Sequence, residues 1–402
     1  MGSKRSISIS ITNITVLLYA LYAIRWVWLA FNTVEYSSVF YYLNQMVGYM
    51  CIPFGILLLL KTMRAKKRNM FLIILPLTYW LYCFIHSYTD HSITYGVFTL
   101  LSISIFLLFD TNVKIRIFNC FYWIVQGTNI ISLFLWFFYI LNVNIGFKMV
   151  TFYSDGAATY GMYYIKWLIF AIYNQNMVNR LCGIFNEPGA LGTLCALLLI
   201  ARFRCSKLWE KILLIATGAL TLSFAFYLLI FAFFALYLIR KNIKNVIWVV
   251  LLAVVFISVP RIDWGNEVLN TFAARFEITE TGFAGDNRST DQLDSLVKTL
   301  EADGKALFGY GEGYTSNTHS SSYKELIVQF GYVGFSVLVL EWLIAALMLG
   351  KKNIDAKIII AFFFISLYQR PSTILSIYGY LILLGGIEWL NEQTEIEKAC
   401  CN

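Results

Sequence analysis

Six residues in this chain are best suited to chemistry: Arg180, Arg275, Arg288 and Arg370, with Glu187 and His319. Guanidinium forks grip phosphate oxygens two at a time and keep their charge at any working pH. An unperturbed imidazole titrates near pH 6.5. Either it or a carboxylate can take a proton from a reacting hydroxyl. Together the set describes a site for a strongly anionic group with a proton acceptor beside it, and a lipid diphosphate is the natural candidate. Each residue also has an ordinary role open to it. Arg180 and Arg370 suit interfacial anchoring, Arg288 a solvated loop, His319 a surface position. Glu187 can accept a proton or hold an arginine in place. The convergence of the six favours the site.

The neighbouring residues say which elements must position them. Arg180 opens the run Arg180-Leu181-Cys182-Gly183-Ile184-Phe185-Asn186-Glu187-Pro188-Gly189. Pro188 suits the first turn of a helix and Asn186 its cap, which puts Glu187 at a helix mouth. Ser289 with Gln292 fits a capping box, and Leu293, Leu296, Val297 and Leu300 follow at helical spacing. A short amphipathic helix is expected there, stopped near Gly304, with Arg288 just before its N-terminus, where an anion is favoured. Ser322 with Glu325 predicts a second cap, beside His319. Pro371 predicts another helix start directly after Arg370. Gly309-Tyr310-Gly311-Glu312-Gly313 lacks the Gly-Lys-Ser/Thr of a phosphate loop and implies a tight or mobile loop only. Tyrosines and tryptophans such as Tyr164, Trp167, Tyr310 and Tyr314 suit either sugar stacking or an interfacial belt.

The composition places these elements in a membrane. Of 402 residues, 59% are apolar, 17% aromatic and 13% charged. The mean hydropathy is +0.67. Soluble domains carry about 25% charged residues, so a cytosolic enzyme is excluded, and so is a disordered chain. A bilayer core needs about 20 apolar residues per helix. Runs of this kind fall near 9–31, 38–60, 70–86, 92–110, 117–141, 188–203, 212–222, 223–240, 245–260, 325–349, 355–370 and 371–391. The long run at 212–239 is divided near Thr221–Ser223, because only then do the basic loops share one side. That side collects most of the 31 Lys and Arg, among them Lys61, Arg64, Arg202, Arg204, Arg240 and Lys351. The positive-inside rule makes it cytoplasmic, together with both termini. The net charge of +8 therefore needs no nucleic acid. The expectation is an all-α polytopic bundle of about twelve spans. It forms a single integral membrane domain over 1–402, with long outer loops near 142–187 and 261–324. The start of the chain is not expected to be a cleavable signal. Eight cysteines without paired or metal-ligand spacing imply no disulfide framework.

Three segments resemble a known family. "RLCGIFNEPG" from Arg180 resembles the Arg-x-x-Gly-x-Phe-x-Glu-Pro segment of bacterial O-antigen polymerases of the Wzy type. "LTLS" at Leu220–Ser223 is similar to the mid-protein Leu-Thr-x-Ser element of the O-antigen polymerase and ligase superfamily. "FGYGEGYTSNTHSSSYKELIVQFGYVGF" resembles its Gly-x-Gly, His and Gly-x-x-Gly succession. Ser320 stands where that family often has Asn, and Phe224 where the superfamily often has Arg. The resemblance implies a GT-C-like glycosyltransferase of the bacterial inner membrane with a periplasmic active site. Donor and acceptor would be undecaprenyl-diphosphate-linked oligosaccharides, with membrane lipid and a chain-length regulator protein as further partners. No cofactor and no metal are implied. The catalytic set would be His319, Glu187 and Arg288. The substrate-binding set would be Arg180, Arg275, Arg370, Tyr314 and Tyr323. Two alternatives remain. One is an O-antigen ligase acting on lipid A-core. The other, of a different class, is a lipid-linked glycan flippase or transporter, with its charges near mid-membrane.

Overall fold

The computed structural model describes residues 10–25, 38–62, 72–73, 76–77, 81, 92–152, 162–175, 178–265, 267–279, 282–284, 290–311, 322–350, 353–368, 370–371, 373 and 376–401. The expected span near 70–86 lies largely outside them. So do Arg288, Tyr314 and His319.

The chain is mostly helical. Helices α1 (Ile11–Arg25), α2 (Ser38–Thr62), α3 (Ser92–Leu108) and α4 (Thr111–Ile140) come first. A sheet of β1 (Lys148–Phe152), β2 (Met162–Trp167), β3 (Phe170–Gln175) and β4 (Val178–Gly183) follows. Then come α5 (Pro188–Arg202), α6 (Leu208–Leu220), α7 (Phe224–Lys241), α8 (Val246–Ser258) and α9 (Glu267–Ala273). After the two-residue strands β5 (Ile278–Thr279) and β6 (Gly282–Phe283) come α10 (Asp291–Ala302), α11 (Tyr323–Gly350) and α12 (Ile354–Leu367). The chain closes with α13 (Ile377–Tyr380), a π-helical turn Leu381–Gly385 and α14 (Gly386–Cys401).

Among the described residues, four helical stretches are long and apolar enough to cross a membrane: Thr111–Ile140, Phe224–Lys241, Ile243–Arg261 and Tyr323–Gly350. None of the residues of α8 is buried, though nearly all are apolar. Such a surface belongs in lipid. Several long apolar helices thus point to a membrane protein, while a count of twelve spans goes beyond these four. The break near Thr221–Ser223 is real. The chain ends α6 at Leu220, turns with Leu222 at φ +47°, and restarts at Phe224.

The expectation of an all-α chain is corrected by the sheet. β1 to β4 form an antiparallel meander in sequence order. The strands are rich in β-branched and aromatic residues, which suit a pleated surface. Trp167 pairs with Phe170 across a two-residue turn in which Leu168 holds φ +51°. A glycine or asparagine normally marks such a turn. Gly183 closes β4 at φ +64°, and a Cβ there would stand 2.8 Å from Ser132 Oγ of α4. The sheet is thereby seated on the helical core.

Polar contacts sort the helix ends into two faces. At one, Arg116 bonds Asn13, Arg202 bonds Asn119, and Arg204 and Arg240 share Asp355. At the other stand the sheet, the Thr221–Leu222 turn and Arg370. α5 runs between the two faces and is buried from Pro188 to Ala201. Its Gly192 leaves room for Thr221 and Ser223, whose atoms lie 2.7 and 2.8 Å from where a Cβ would be. Small residues of this kind let membrane helices approach closely.

Three local expectations are revised. Glu187, not Asn186, directly precedes α5, with Pro188 in the first turn as expected. Thr290 caps α10, accepting from Leu293 N at 3.2 Å, so the cap is one residue later than Ser289. Pro371 lies in a short 3₁₀ turn, and the last helix begins only at Ile377, where Ser376 accepts from Gly379 N. Other signals hold. Leu293 and Leu300 of α10 are fully buried, and Gly304 follows at φ +67°. Ser322 directly precedes α11, and its hydroxyl accepts from Lys324 N at 3.5 Å.

The glycine-rich segment has a definite job. α11 is broken at Gly331, φ +67°. The segment 306–311 lies against this break. Tyr310 N donates to Val328 O at 2.9 Å and Gly311 N to Gln329 O at 3.0 Å. Tyr332 N and Val333 N donate back to Ala306 O and Leu307 O at 2.9 and 3.1 Å. A Cβ at Gly309 would collide with the Gln329 carbonyl, and one at Gly331 with that of Leu307. The two glycine motifs are thus two sides of one backbone contact.

Candidate functional site

Strand β4 presents Arg180 opposite Tyr173 of β3, and Tyr173 opposite Tyr164 of β2. Antiparallel pairing puts the three on one face of the sheet. The Tyr164 and Tyr173 rings meet edge-on at 5.2 Å, and the Arg180 guanidinium lies 6.0 Å from the Tyr173 ring centre. Tyr164 donates from its hydroxyl to Asn186 O at 2.6 Å, tying the sheet to the mouth of α5.

Arg180 reaches the turn between α6 and α7. Its Nε donates to Thr221 O at 2.9 Å and its Nη2 to Leu222 O at 3.3 Å. Arg275, in the 3₁₀ turn after α9, donates from Nη1 to the same Leu222 O at 3.3 Å. Residues more than 40 positions apart therefore share one carbonyl. The turn is held by Thr221, whose hydroxyl donates to Gly218 O at 2.6 Å and accepts from Ser223 N at 3.2 Å. Carbonyls at a helix C-terminus carry negative partial charge and attract cations. The arginines therefore cap α6 as well as gather at one place.

Glu187 and Arg370 form the second half. Arg370 Nη1 donates to Glu187 Oε1 at 2.7 Å. Among the described residues Arg370 Nη2 is buried without a partner, and so is the Oδ1 of Asn186, the residue before Glu187. Buried polar atoms of this kind are rare and call for a ligand or water. Burial works against the Arg370 charge, but the Glu187 carboxylate outweighs it and holds the guanidinium above its ordinary range.

The two halves lie within electrostatic reach of each other. Burial pushes Tyr173 up, while Arg180 and Arg275 pull it down and Glu187 pushes with burial. Burial likewise raises the Cys182 thiol, on which Glu187, Arg180 and Arg370 all act. Burial lowers Arg275, and Tyr173 opposes that. Among the described residues no carboxylate pairs with Arg275. Three guanidiniums and one carboxylate thus converge here among the described residues.

The structure brings together Arg180, Arg275, Arg370 and Glu187 of the expected set. Tyr323 stands at the mouth of α11, where its ring packs 5.4 Å from Tyr368 and 6.2 Å from Phe335. Tyr310 donates to Asp303 at 2.6 Å and serves the loop after α10. Sequence reasoning missed Tyr173, the Asn186 side chain and the carbonyls of Thr221 and Leu222. For Tyr173 the available signal was strand alternation around Arg180. Among the described residues no three His, Cys, Asp or Glu stand together as metal ligands would. Compared with protein-family models, curated proteins and solved structures, the chain matches none.

Proposed function

We propose that this chain is a membrane glycosyltransferase that joins lipid-linked oligosaccharides through a diphosphate leaving group, as the O-antigen polymerases it resembles do. The observation that carries the reading is the convergence of guanidiniums around the Thr221–Leu222 turn and the mouth of α5. Arg180 and Arg275 meet at the Leu222 carbonyl and Arg370 stands beside Glu187, and a diphosphate esterified at both ends carries two negative charges for such donors to hold. Fixed guanidiniums stabilise such a leaving group as its charge develops.

In the reaction, an acceptor hydroxyl oxygen attacks the anomeric carbon of the donor sugar. The bond from that carbon to the diphosphate oxygen breaks, and its electron pair leaves with the diphosphate. The hydroxyl proton passes to a base. His319 is the first choice for that base, because Glu187 is already engaged by Arg370 at 2.7 Å. Glu187 then orients Arg370, so that its unpartnered Nη2 is available to the leaving group. Arg288 is a further diphosphate ligand in this proposal, and Tyr314 a sugar contact. The Arg and Lys at the opposite face support a cytoplasmic position for that end and a periplasmic position for the site. The family resemblance implies metal-independent activity.

One observation favours the transport alternative. Helix α4 buries Tyr122, Gln126, Asn129 and Ser132 along one stripe, and Tyr122 bonds the buried Glu210 at 2.7 Å. Polar residues inside a bundle suit a transport path. Reconstitution separates the readings. Purified protein in proteoliposomes, given a defined lipid-linked oligosaccharide and no lipid A-core, should produce longer lipid-linked chains, unaffected by EDTA. Extension only when lipid A-core is added would mean a ligase. Movement of the lipid across the bilayer without bond formation would overturn the enzyme reading.

A further inference from the structure

A cleft lies at the opposite face, at the other end of α5 from the arginine site. It encloses about 330 Å³ between the ends of α5, α7, α12 and α14. Its wall is apolar, from Phe233 and Leu236 of α7 and Ile358 of α12. Its rim is basic, from Arg204, Arg240 and Lys241. Asp355 bridges Arg204 at 2.8 Å and Arg240 at 3.2 Å, and Glu397 lies 3.2 Å from Arg204. Yet the arginine side chains remain 53% and 39% exposed. Among the described residues Lys241 has no acidic partner. The rim thus keeps donors for another anion.

We propose that this cleft holds an anionic phospholipid. The lipid phosphate sits against Arg240 and Lys241, and its first acyl carbons run along Phe233, Leu236 and Ile358. The argument is complementarity of both halves. A free phosphate would satisfy the rim and leave the apolar wall wet. A neutral apolar molecule would leave Lys241 unmatched and the exposed donors of Arg240 unused. The volume lies at the small end of ligand sites, which span about 300–1,000 Å³. Basic pockets between membrane helices suit anionic headgroups, which the cytoplasmic leaflet supplies. The inference rests on the chain lying in a membrane. It does not depend on glycosyl transfer.

The test uses full-length protein in phosphatidylcholine nanodiscs with traces of two diazirine lipids, phosphatidylglycerol and phosphatidylcholine. Crosslinked peptides are mapped by mass spectrometry. Phosphatidylglycerol should label the peptides carrying Phe233–Lys241 and Ile358, and unlabelled phosphatidylglycerol should compete. Each basic side chain near an anionic headgroup is worth roughly five-fold in affinity. Arg240→Ala with Lys241→Ala should therefore cut that labelling about 25-fold, while leaving the Arg204–Asp355 pair in place. Leu236→Trp, which fills the wall without touching charge, should cut it as well and guards against misfolding of the double variant. Equal labelling by both lipids would overturn the proposal. So would displacement of phosphatidylglycerol by millimolar inorganic phosphate, which would make the site one for a free anion.

Discussion

The Glu187–Arg370 pair carries an asymmetry that can be measured. The Arg370 side chain is 14% exposed and that of Glu187 35%. Glu187→Ala strands a guanidinium whose Nη2 already lacks a partner. Leaving a buried charge uncompensated costs about 3–5 kcal/mol, and the residual exposure places this case near 3. Arg370→Ala leaves a carboxylate that water reaches. Its cost should fall to about 1 kcal/mol, the range of exposed pairs. Glu187→Gln keeps an acceptor for Nη1 and loses only the charge, so it should fall between the two. Reversible unfolding in mixed micelles of the three variants and the double alanine variant gives the coupling, about 0.5–3 kcal/mol for touching residues. Equal losses, or a milder Glu187→Ala, would refute the burial argument. The same variants decide what Glu187 does. A carboxylate that only orients Arg370 can become an amide and keep most of the turnover. A general base so replaced loses about 10²–10⁴-fold. A loss of that size with unchanged donor binding would remove Glu187 from the orienting role.

Arg275→Ala should weaken binding of a diphosphate lipid while leaving the α6–α7 turn intact, since Arg180 still bonds both carbonyls; unchanged affinity across a salt series would take Arg275 out of the site. Gly331→Ala should be among the most damaging single substitutions, because φ is +67° and the new Cβ meets the Leu307 carbonyl; wild-type stability in thermal unfolding would show that the break at Gly331 is dispensable. Burial raises Tyr164 and Tyr173, so the folded state resists losing their protons. The unfolded chain releases them near pH 10, and this stability contribution is therefore complete below about pH 10 and falls as pH rises further. Tyr173→Phe should make alkaline unfolding less steep, and an unchanged pH profile would contradict the burial assigned to that hydroxyl.

How much of this was legible in the sequence follows from the kind of signal each element carries. Helix α10 was readable because its leucines recur at helical spacing and Gly304 ends it. The α6–α7 break was readable only through charge parity, since Thr221-Leu222-Ser223 holds neither Gly nor Pro. The sheet was not readable as such. Its turn places Leu168, a residue that disfavours positive φ, where a glycine would have announced a hairpin. Residues 142–187 therefore looked like a loop. Within the site, the arginines stood out because the expected topology puts them on the face where the positive-inside rule makes guanidiniums rare. Tyr173 and two backbone carbonyls carry no such mark. A carbonyl has no residue type, and only the fold reveals which one an arginine will find.

The Thr221–Leu222 turn then explains why distant motifs belong together. Leu222 holds φ +47° without being glycine, a conformation that costs on the order of 1 kcal/mol or more. It persists because its surroundings over-determine it. Thr221 closes the helix from one side, Gly192 of α5 leaves space beneath, and two guanidiniums converge on the outward carbonyl. Remove the strain with Leu222→Gly and the carbonyl remains, yet the turn loses its single conformation. Such a variant should unfold no more easily than wild type, because relief of strain offsets the added chain entropy. If the turn exists to aim Arg180 and Arg275, donor binding should weaken all the same, through disorder of their shared anchor. A variant that binds donor as wild type does would make the turn a helix cap and nothing more.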